Sequence, residues 1–418
     1  MDIMELKRDY AHLIVNAGVN LSRGQPLLIR TEIAQREFAL LLAEEAYRSG
    51  ASLVKVDYAD PLMSRLRLDK SLMDEYLEYV PSYTENMYRA YIDDGWASIS
   101  LRGPEYPDIM EGADPKRMGI AGKAASRSLR TFLKGISSNR IQWNVCLHPT
   151  PAWAARVLEE DSTDEGRTDD QDRLEDIWEV LVPILRLDRE DPSAAWLEHD
   201  AELKRRTRYM NSAGYDQIHF QGPGTDLYVG MAADRVFAGG RCVTVSGREF
   251  FPNIPTEEIF STPDFRRTRG RARTTRPVEV LGSRVHGAWF EFEDGLVTEF
   301  GADSGEEVLA QYLDFDEGAR ALGEVALVDV GSPIYRSGRI FHNILLDENA
   351  SCHIALGNGY ADCVRGGTGM TDGELEKAGC NSSLVHTDFM IGSEEVSVSG
   401  ISRDGSRERI IDKGVFVI

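Results

Sequence analysis

The sequence predicts an α/β N-terminal domain with a mainly parallel sheet over residues 1–195. An α+β domain rich in β-strands follows over 196–418. Three observations lead there. A chain of 418 residues exceeds one comfortable hydrophobic core, so two domains are the default expectation. Strand-like and helix-like stretches alternate in the first part, the order of a parallel sheet. After the helical stretch that ends at Gly214, short strands and glycine-rich turns take over.

In chain order, "PLLIR" (26–30) is a short apolar strand. "AQREFALLLAEEAYRSG" then places Ala39, Leu42, Ala43 and Ala46 at helical spacing, with Gly50 as a C-terminal stop. "SLVKVDY" (52–58) is the next strand, and "WASISL" (96–101) and "RIQWNVCLHPT" (140–150) extend the pattern. "RTEIAQ" occupies the first strand-to-helix turn, where a nucleotide site needs a glycine-rich loop, so none is predicted. The acidic stretch 159–176 lacks the ligand order of a calcium loop and reads as a solvated loop leading into a helix. Residues 191–214 read as a helix with Pro192 near its start and Gly214 at its end, and the domain boundary is placed around it.

In the second domain "QIHF" (217–220) and "DLYVG" (226–230) flank "QGPGT", a tight turn. "RCVTVSG" (241–247), "AWFEFEDGLVTEFG" (288–301) and "EVALVDV" (324–330) alternate like strands. "SGEEVLAQYLDFDEGARALG" begins with a capping-box pattern, Ser304 with Glu307, and reads as helix. The basic run "RRTRGRARTTR" (266–276) has no interleaved aromatics and is read as an exposed loop. No internal repeat is found.

Composition narrows the function. An apolar fraction of 42% with 9% aromatics is that of a folded enzyme or binding protein. A net charge of −22 argues against nucleic acid or an anionic membrane as partner, because phosphate contacts need a basic surface. Five cysteines without a C-x-x-C pair indicate neither a disulfide framework nor a zinc knuckle. The opening "MDIMELKRDYAHLIV" carries charges where a signal peptide needs an apolar block, and no apolar run approaches the roughly 20 residues of a membrane span. A cytoplasmic protein is expected.

Chemistry concentrates in two stretches. "LLDENASCHIALGNGY" (345–360) gathers Glu348, His353 and Tyr360 in a chain with only eight histidines. "SSLVHTDFMIGSEEVSVSG" (382–400) sets His386 and Asp388 two apart in a strand-like run, hence on one face. Either pair alone also fits a hydrogen-bonded structural couple. Glu324 heads the apolar strand "EVALVDV", where a charge is costly unless paired or bound to metal. Glu257 and Glu258 follow Thr256 and also fit first-turn acids after a threonine helix cap.

Together, two imidazoles and three or four carboxylates from separate segments would form a two-metal hydrolytic site. Such sites bridge ions about 3.5–4 Å apart with a carboxylate and activate a water. The mixed nitrogen and oxygen donors favour zinc, cobalt or manganese over calcium or magnesium. A facial-triad oxygenase would need a histidine after Asp388, and none follows. There is no G-x-S-x-G elbow and no H-E-x-x-H. Cys352 neighbours His353 and so points to the opposite strand face, which assigns it to packing.

At these residues the sequence resembles the aminopeptidase T / aminopeptidase S family of two-metal exopeptidases, through "NIPTEEIFSTPD", "LGEVALV", "LLDENASCHIALGNGY" and "VHTDFMIGSEEV". "HFQGPGTDLYVG" and "AGVNLSRGQPLLI" are similar to that family as well, so the resemblance spans essentially the whole chain. It implies a C-terminal catalytic domain, two divalent metal ions per subunit and a homodimer with enclosed active sites. Carried over residue by residue, it makes Glu258 a metal ligand and Glu324 the bridging one, with His353, His386 and Asp388 completing the set. Glu348 and Tyr360 lie beside the metals in the matching motifs, as ligands or catalytic groups, and Glu257 is left as a group behind the ligands or a proton shuttle. The arginine-rich 266–276 run and the acidic 159–172 segment depart from the family and bear on substrate access or partners. The expected function is a metallo-aminopeptidase acting on peptides with a free N-terminus. The alternatives are a two-metal phosphoesterase, which needs basic residues such as Arg365 near the motifs, and a non-catalytic metal-binding protein.

Overall fold

Apolar residues at strand and helix spacing set the first elements. Leu27–Glu32 forms a strand whose Leu27, Leu28 and Ile29 are fully buried. The helix Arg36–Arg48 buries Phe38, Ala39, Leu42 and Ala46 along one stripe. It closes at Ser49, and Gly50 turns the chain with a φ of 99°, a conformation costly for any other residue. The computed structural model describes residues 2–158 and 169–418, so residues 159–168 of the expected acidic loop lie outside the described residues. The helix Asp170–Ile184 follows them.

The chain divides into two compact units, Met1–Trp196 with Arg241–Ile254, and Leu197–Gly240 with Pro255–Ile418. The first unit holds a four-stranded parallel sheet in the order Val54–Ala59, Leu27–Glu32, Ala97–Arg102, Trp143–Leu147. The helices Pro61–Lys70, Ser82–Asp93, Pro115–Ser137 and Pro151–Leu158 also belong to this unit. "RCVTVSG" is strand only at Cys242–Val243, which pairs with Glu249–Phe250 in this same unit. Thr244 and Gly247 then close a tight turn, so the longer strand is not formed. The helix Pro192–Ala213 ends at Gly214, whose φ is 66°.

The second unit is antiparallel. An eight-stranded sheet runs Leu296–Gly301, Trp289–Glu293, Pro263–Arg273, Thr225–Met231, Gln217–Gly222, Ser397–Ile401, Arg407–Asp412, Val415–Phe416. A four-stranded sheet runs His386–Met390, His353–Gly357, Leu322–Val328, Glu258–Ser261. Ile259, Val325, Leu327, Ile354, Leu356 and Phe389 of the small sheet share one core with Phe220, Val229, Ala272 and Phe290 of the large one. Phe290 meets Phe389 edge-on at 4.9 Å.

Three sequence expectations fail in this unit. The basic run is no exposed loop: Pro263–Arg273 is a strand paired on both sides, with Thr268 and Ala272 buried between arginines. The capping box at Ser304 does not form, because Gly305 takes the N-cap place with a φ of 81°, and the helix is confined to Glu306–Leu313. No helix starts after Thr256; Glu258 opens a strand instead. Its partner strand begins at Leu322, two residues before Glu324. The whole is a mixed α/β architecture with parallel and antiparallel sheets. Among the described residues no helix is long and apolar enough to cross a membrane.

Candidate metal centre

The small sheet is two-faced. Its apolar face belongs to the core, and its other face carries the acids and histidines. Register puts them there: Glu324 and Asp388 both stand opposite Ala355, His353 opposite Ala326, His386 opposite Gly357, and Glu258 opposite Val328. Residues directly opposed on neighbouring strands share a face. Ala326, Ala355 and Gly357 contribute almost no side-chain volume between the larger groups, which leaves them room to converge.

A glycine sets one histidine. Gly323 lies at a break in register, and a Cβ there would sit 2.2 Å from the Asn358 carbonyl oxygen. That carbonyl accepts a hydrogen bond from His386 Nδ1 at 2.7 Å. His353 Nδ1 likewise donates to the Ser351 carbonyl at 3.2 Å. A carbonyl can only accept, so both rings carry a proton on Nδ1, and Nε2 is the nitrogen left to face the site.

Those nitrogens face carboxylates. His353 Nε2 lies 3.2 Å from Glu258 Oε2 and 3.9 Å from Asp388 Oδ1. His386 Nε2 lies 3.2 Å from Glu324 Oε2 and 3.4 Å from Asp388 Oδ1. Glu258 Oε2 and Asp388 Oδ1 are buried without a hydrogen-bond partner among the described residues. Buried carboxylate oxygens gathered round two imidazole nitrogens call for positive charge between them, as protons on the rings or as metal ions. Two sets of donor atoms lie within 4.8 Å of one another, Glu258–Glu324–His353 and Glu324–His386–Asp388, and Glu324 belongs to both.

The ionisation of the site shows the same surplus of acid. Burial, with Asp388 and Glu258 adding to it and His386 opposing, pushes Glu324 up to about 7. Burial and the same two acids raise Glu348. Burial works against a charged His353, yet Glu258, Asp388 and Glu324 overcome it and lift the ring to about 10. Burial also opposes the charge on His386, which Asp388 and Glu324 raise all the same. Asp388 stays below its usual range because the two histidines outweigh its burial. Four carboxylates against two imidazoles leave a surplus of negative charge that protons or metal ions must balance.

Glu348 follows the short helix Ile344–Asp347, and its Oε1 accepts from Asn349 Nδ2 at 3.3 Å. The Tyr360 hydroxyl lies 3.2 Å from His386 Nε2. Glu257 is turned away: its Oε2 lies 3.3 Å from His199 Nε2, and that nitrogen is also 2.9 Å from the Thr256 carbonyl. The backbone N–H of Glu257 donates to the buried Asn349 Oδ1 at 2.7 Å. Cys352 is buried, its Sγ 3.4 Å from the Val328 carbonyl. Arg365 is exposed, and among the described residues the ion pairs of Glu258, Glu324 and Asp388 are with histidines alone.

Sequence reasoning missed Asn349 and His199. Asn349 had a faint signal, standing between two candidates in "DENA". His199 had none, since it reaches Glu257 from a helix 58 positions upstream.

Known proteins resemble this chain along nearly its whole length. A family model described as thermophilic metalloprotease (M29) matches residues 4–416. Aminopeptidase T of Thermus aquaticus is 40% identical over 410 residues, covering 98% of this chain and 97% of that protein. Aminopeptidase 2 of Geobacillus stearothermophilus is 37% identical over 405 residues, covering 97% and 96%. The solved structure of wild-type AmpT from Thermus thermophilus matches with a TM-score of 0.91 at 36% identity, covering 100% of both chains.

Proposed function

The chain belongs to the M29 family of metalloproteases, and from that premise we propose that it is a metallo-aminopeptidase releasing the N-terminal residue of peptides. One observation carries the reading: Glu324 belongs to both sets of converging donor atoms, as a carboxylate shared by two ions would. Glu258 and His353 would hold one divalent ion and His386 and Asp388 the other, with zinc, cobalt or manganese suiting the mixed donors. Bound there, the ions would supply Lewis acidity toward a water molecule and the scissile carbonyl.

The chain's own groups do the rest. As a carboxylate beside the ions Glu348 would take the proton of the attacking water and then give it to the leaving amine. Burial with its acidic neighbours raises its pKa, which favours the proton-carrying form. Burial first, and then the surrounding carboxylates, keep Tyr360 protonated, so its hydroxyl remains a donor for an oxygen that gains charge. Glu257 would act through position, fixed by His199 and Asn349 behind Glu258. The acidic surplus also gives a substrate α-ammonium a favourable place. A homodimer and a cytoplasmic location belong to the same reading, supported by the family resemblance and the acidic composition. The phosphoesterase alternative gains no support, because the only basic groups paired with Glu258, Glu324 and Asp388 among the described residues are histidines.

Turnover of an aminoacyl-p-nitroanilide tests the reading. Activity should vanish with a chelator and return with zinc, cobalt or manganese, and N-acetylation of the substrate should abolish it. Full activity in metal-free protein, or equal cleavage of the acetylated substrate, would overturn it.

A further inference from the structure

Strands of a parallel sheet are buried on both faces and read as continuous apolar runs. The sheet of the first unit obeys this on one face, with Leu27, Ile29, Val54, Val56, Ala97, Ile99 and Leu101. The opposite face does not. Register aligns Arg30 with Asp57 and with Ser100, and Arg102 lies two residues further along the same strand as Ser100. The Arg30 guanidinium lies 5.6 Å from the centre of the Tyr88 ring.

These groups stand where an open α/β sheet binds its ligands. The first strand of the chain, Leu27–Glu32, lies inside the sheet, with the second on one side and the third on the other. Strand order therefore reverses between Leu27–Glu32 and Ala97–Arg102, and crevices at the carboxyl ends of such a pair are the usual ligand sites. Arg30 comes from one strand of the pair and Arg102 from the other.

The nearby acids are already engaged. Asp57 pairs with Lys55 at 2.8 Å and accepts from the Tyr88 hydroxyl at 3.2 Å. Glu32 Oε2 accepts from the Glu105 backbone N–H at 3.1 Å. Among the described residues no carboxylate forms an ion pair with Arg30 or Arg102. Arg102 keeps part of its surface open to solvent. Desolvation and then the Arg30 charge still lower its pKa, with Glu32 in partial opposition. Two guanidinium groups that repel each other, with Glu32 offsetting this only in part and from beyond ion-pair distance, hold no carboxylate in the fork geometry that suits them.

We infer that this carboxyl end of the strand pair binds an oxyanion, the carboxylate or phosphate group of a small ligand, between Arg30 and Arg102. Arginine labelling with phenylglyoxal tests it on the metal-loaded full chain, read residue by residue by mass spectrometry. Saturating inorganic phosphate or acetylglycine should cut the labelling of Arg30 and Arg102 together to less than half. Arg403, at 83% side-chain exposure, is the internal reference and should be unaffected, as should all three in chloride of equal ionic strength. Protection by phosphate alone identifies a phosphorylated ligand, by acetylglycine alone a carboxylate, and by both their shared chemistry. In Arg30→Gln the protection of Arg102 should be lost, and Arg30→Lys should restore part of it by returning the charge. No protection by either anion, protection of one arginine only, or an equal effect on Arg403 would overturn the site.

Discussion

Two regions of the second unit carry charge on a strand period of two and dispose of it in opposite ways. On Pro263–Arg273 the arginines at 267, 269, 271 and 273 share one face, and each finds compensation on a neighbour. Arg267 pairs with Asp216 and Arg273 with Asp303, each at 2.6 Å. Arg269 lies 4.0 Å from the Tyr228 ring centre and Arg271 4.2 Å from that of Trp289. On the small sheet Glu258, Glu324, His353 and Asp388 are buried, with more acid than the imidazoles can balance. Charge on a strand says little until its surroundings are known. Neutralised and exposed, it is surface; enclosed and in surplus, it requires a cation.

The largest expected effect comes from removing the shared carboxylate. Glu324→Gln should lose both ions, because a neutral amide is a poor ligand at either position. kcat should fall by more than the roughly 10–100-fold that changes behind a metal ligand cost. Metal content and kcat on one preparation check this, and a variant that keeps two ions and normal turnover would break the contrast. Glu258→Gln should lower occupancy as well. Glu257→Gln should keep its metal and lose about 10–100-fold in kcat through its position behind the ligand. Metal loss in the Glu257 variant with none in the Glu258 variant would exchange the two assignments.

Stability against pH should also separate the regions. In protein stripped of divalent ions, Glu324 titrates near 7 and His353 near 10, both above their unfolded values of about 4.3 and 6.5. A group whose folded pKa is raised stabilises the fold while protonated. Its contribution is complete below the unfolded pKa and is lost as pH rises through the folded one. The Tm of the metal-free protein should therefore fall as pH climbs from about 5 to 10, first with Glu324 and later with His353. Bound metal takes the deprotonated carboxylates and bare imidazoles, so the loaded protein should hold its Tm across the lower part of that range. Identical profiles for the two forms would mean that the cluster needs no cation.

How much of this was legible in sequence depended on which part of the physics is local. The strand face of His386 and Asp388, the cost of burying Glu324 and the helix stop at Gly50 follow from neighbours in the chain, and each could be read there. The contrast between the two sheets could not. Arg271 lacks aromatic company along the chain because Trp289 joins it only across a strand pair. Glu257 and Glu258 resembled helix-start acids because the strand that draws Glu258 into a sheet begins at Leu322, far along the chain. Ser304 looked like a cap because the positive φ of Gly305 is set by tertiary packing against Arg284 and Val285. His199 meets Glu257 only once the fold has formed.

The smallest expected effect lies on the arginine strand. Arg271 stands in register between Asp226 and Glu291, and its guanidinium covers the Trp289 ring. If Arg271 is compensated surface, it contributes only the attraction of a cation for an aromatic face, about 0.5–1 kcal/mol where solvent still reaches it. Arg271→Ala and Trp289→Leu should each destabilise the protein, the tryptophan change by more because packing is lost as well. The double variant should fall short of the sum by about 0.5–1 kcal/mol, the coupling between the pair. Denaturant midpoints at constant m-value measure it, and kcat and metal content should not move in any of the three variants. If Arg271→Ala lowered kcat with its metal in place, the strand would be serving the reaction, and the division between neutralised surface and cation-demanding interior would have to be redrawn.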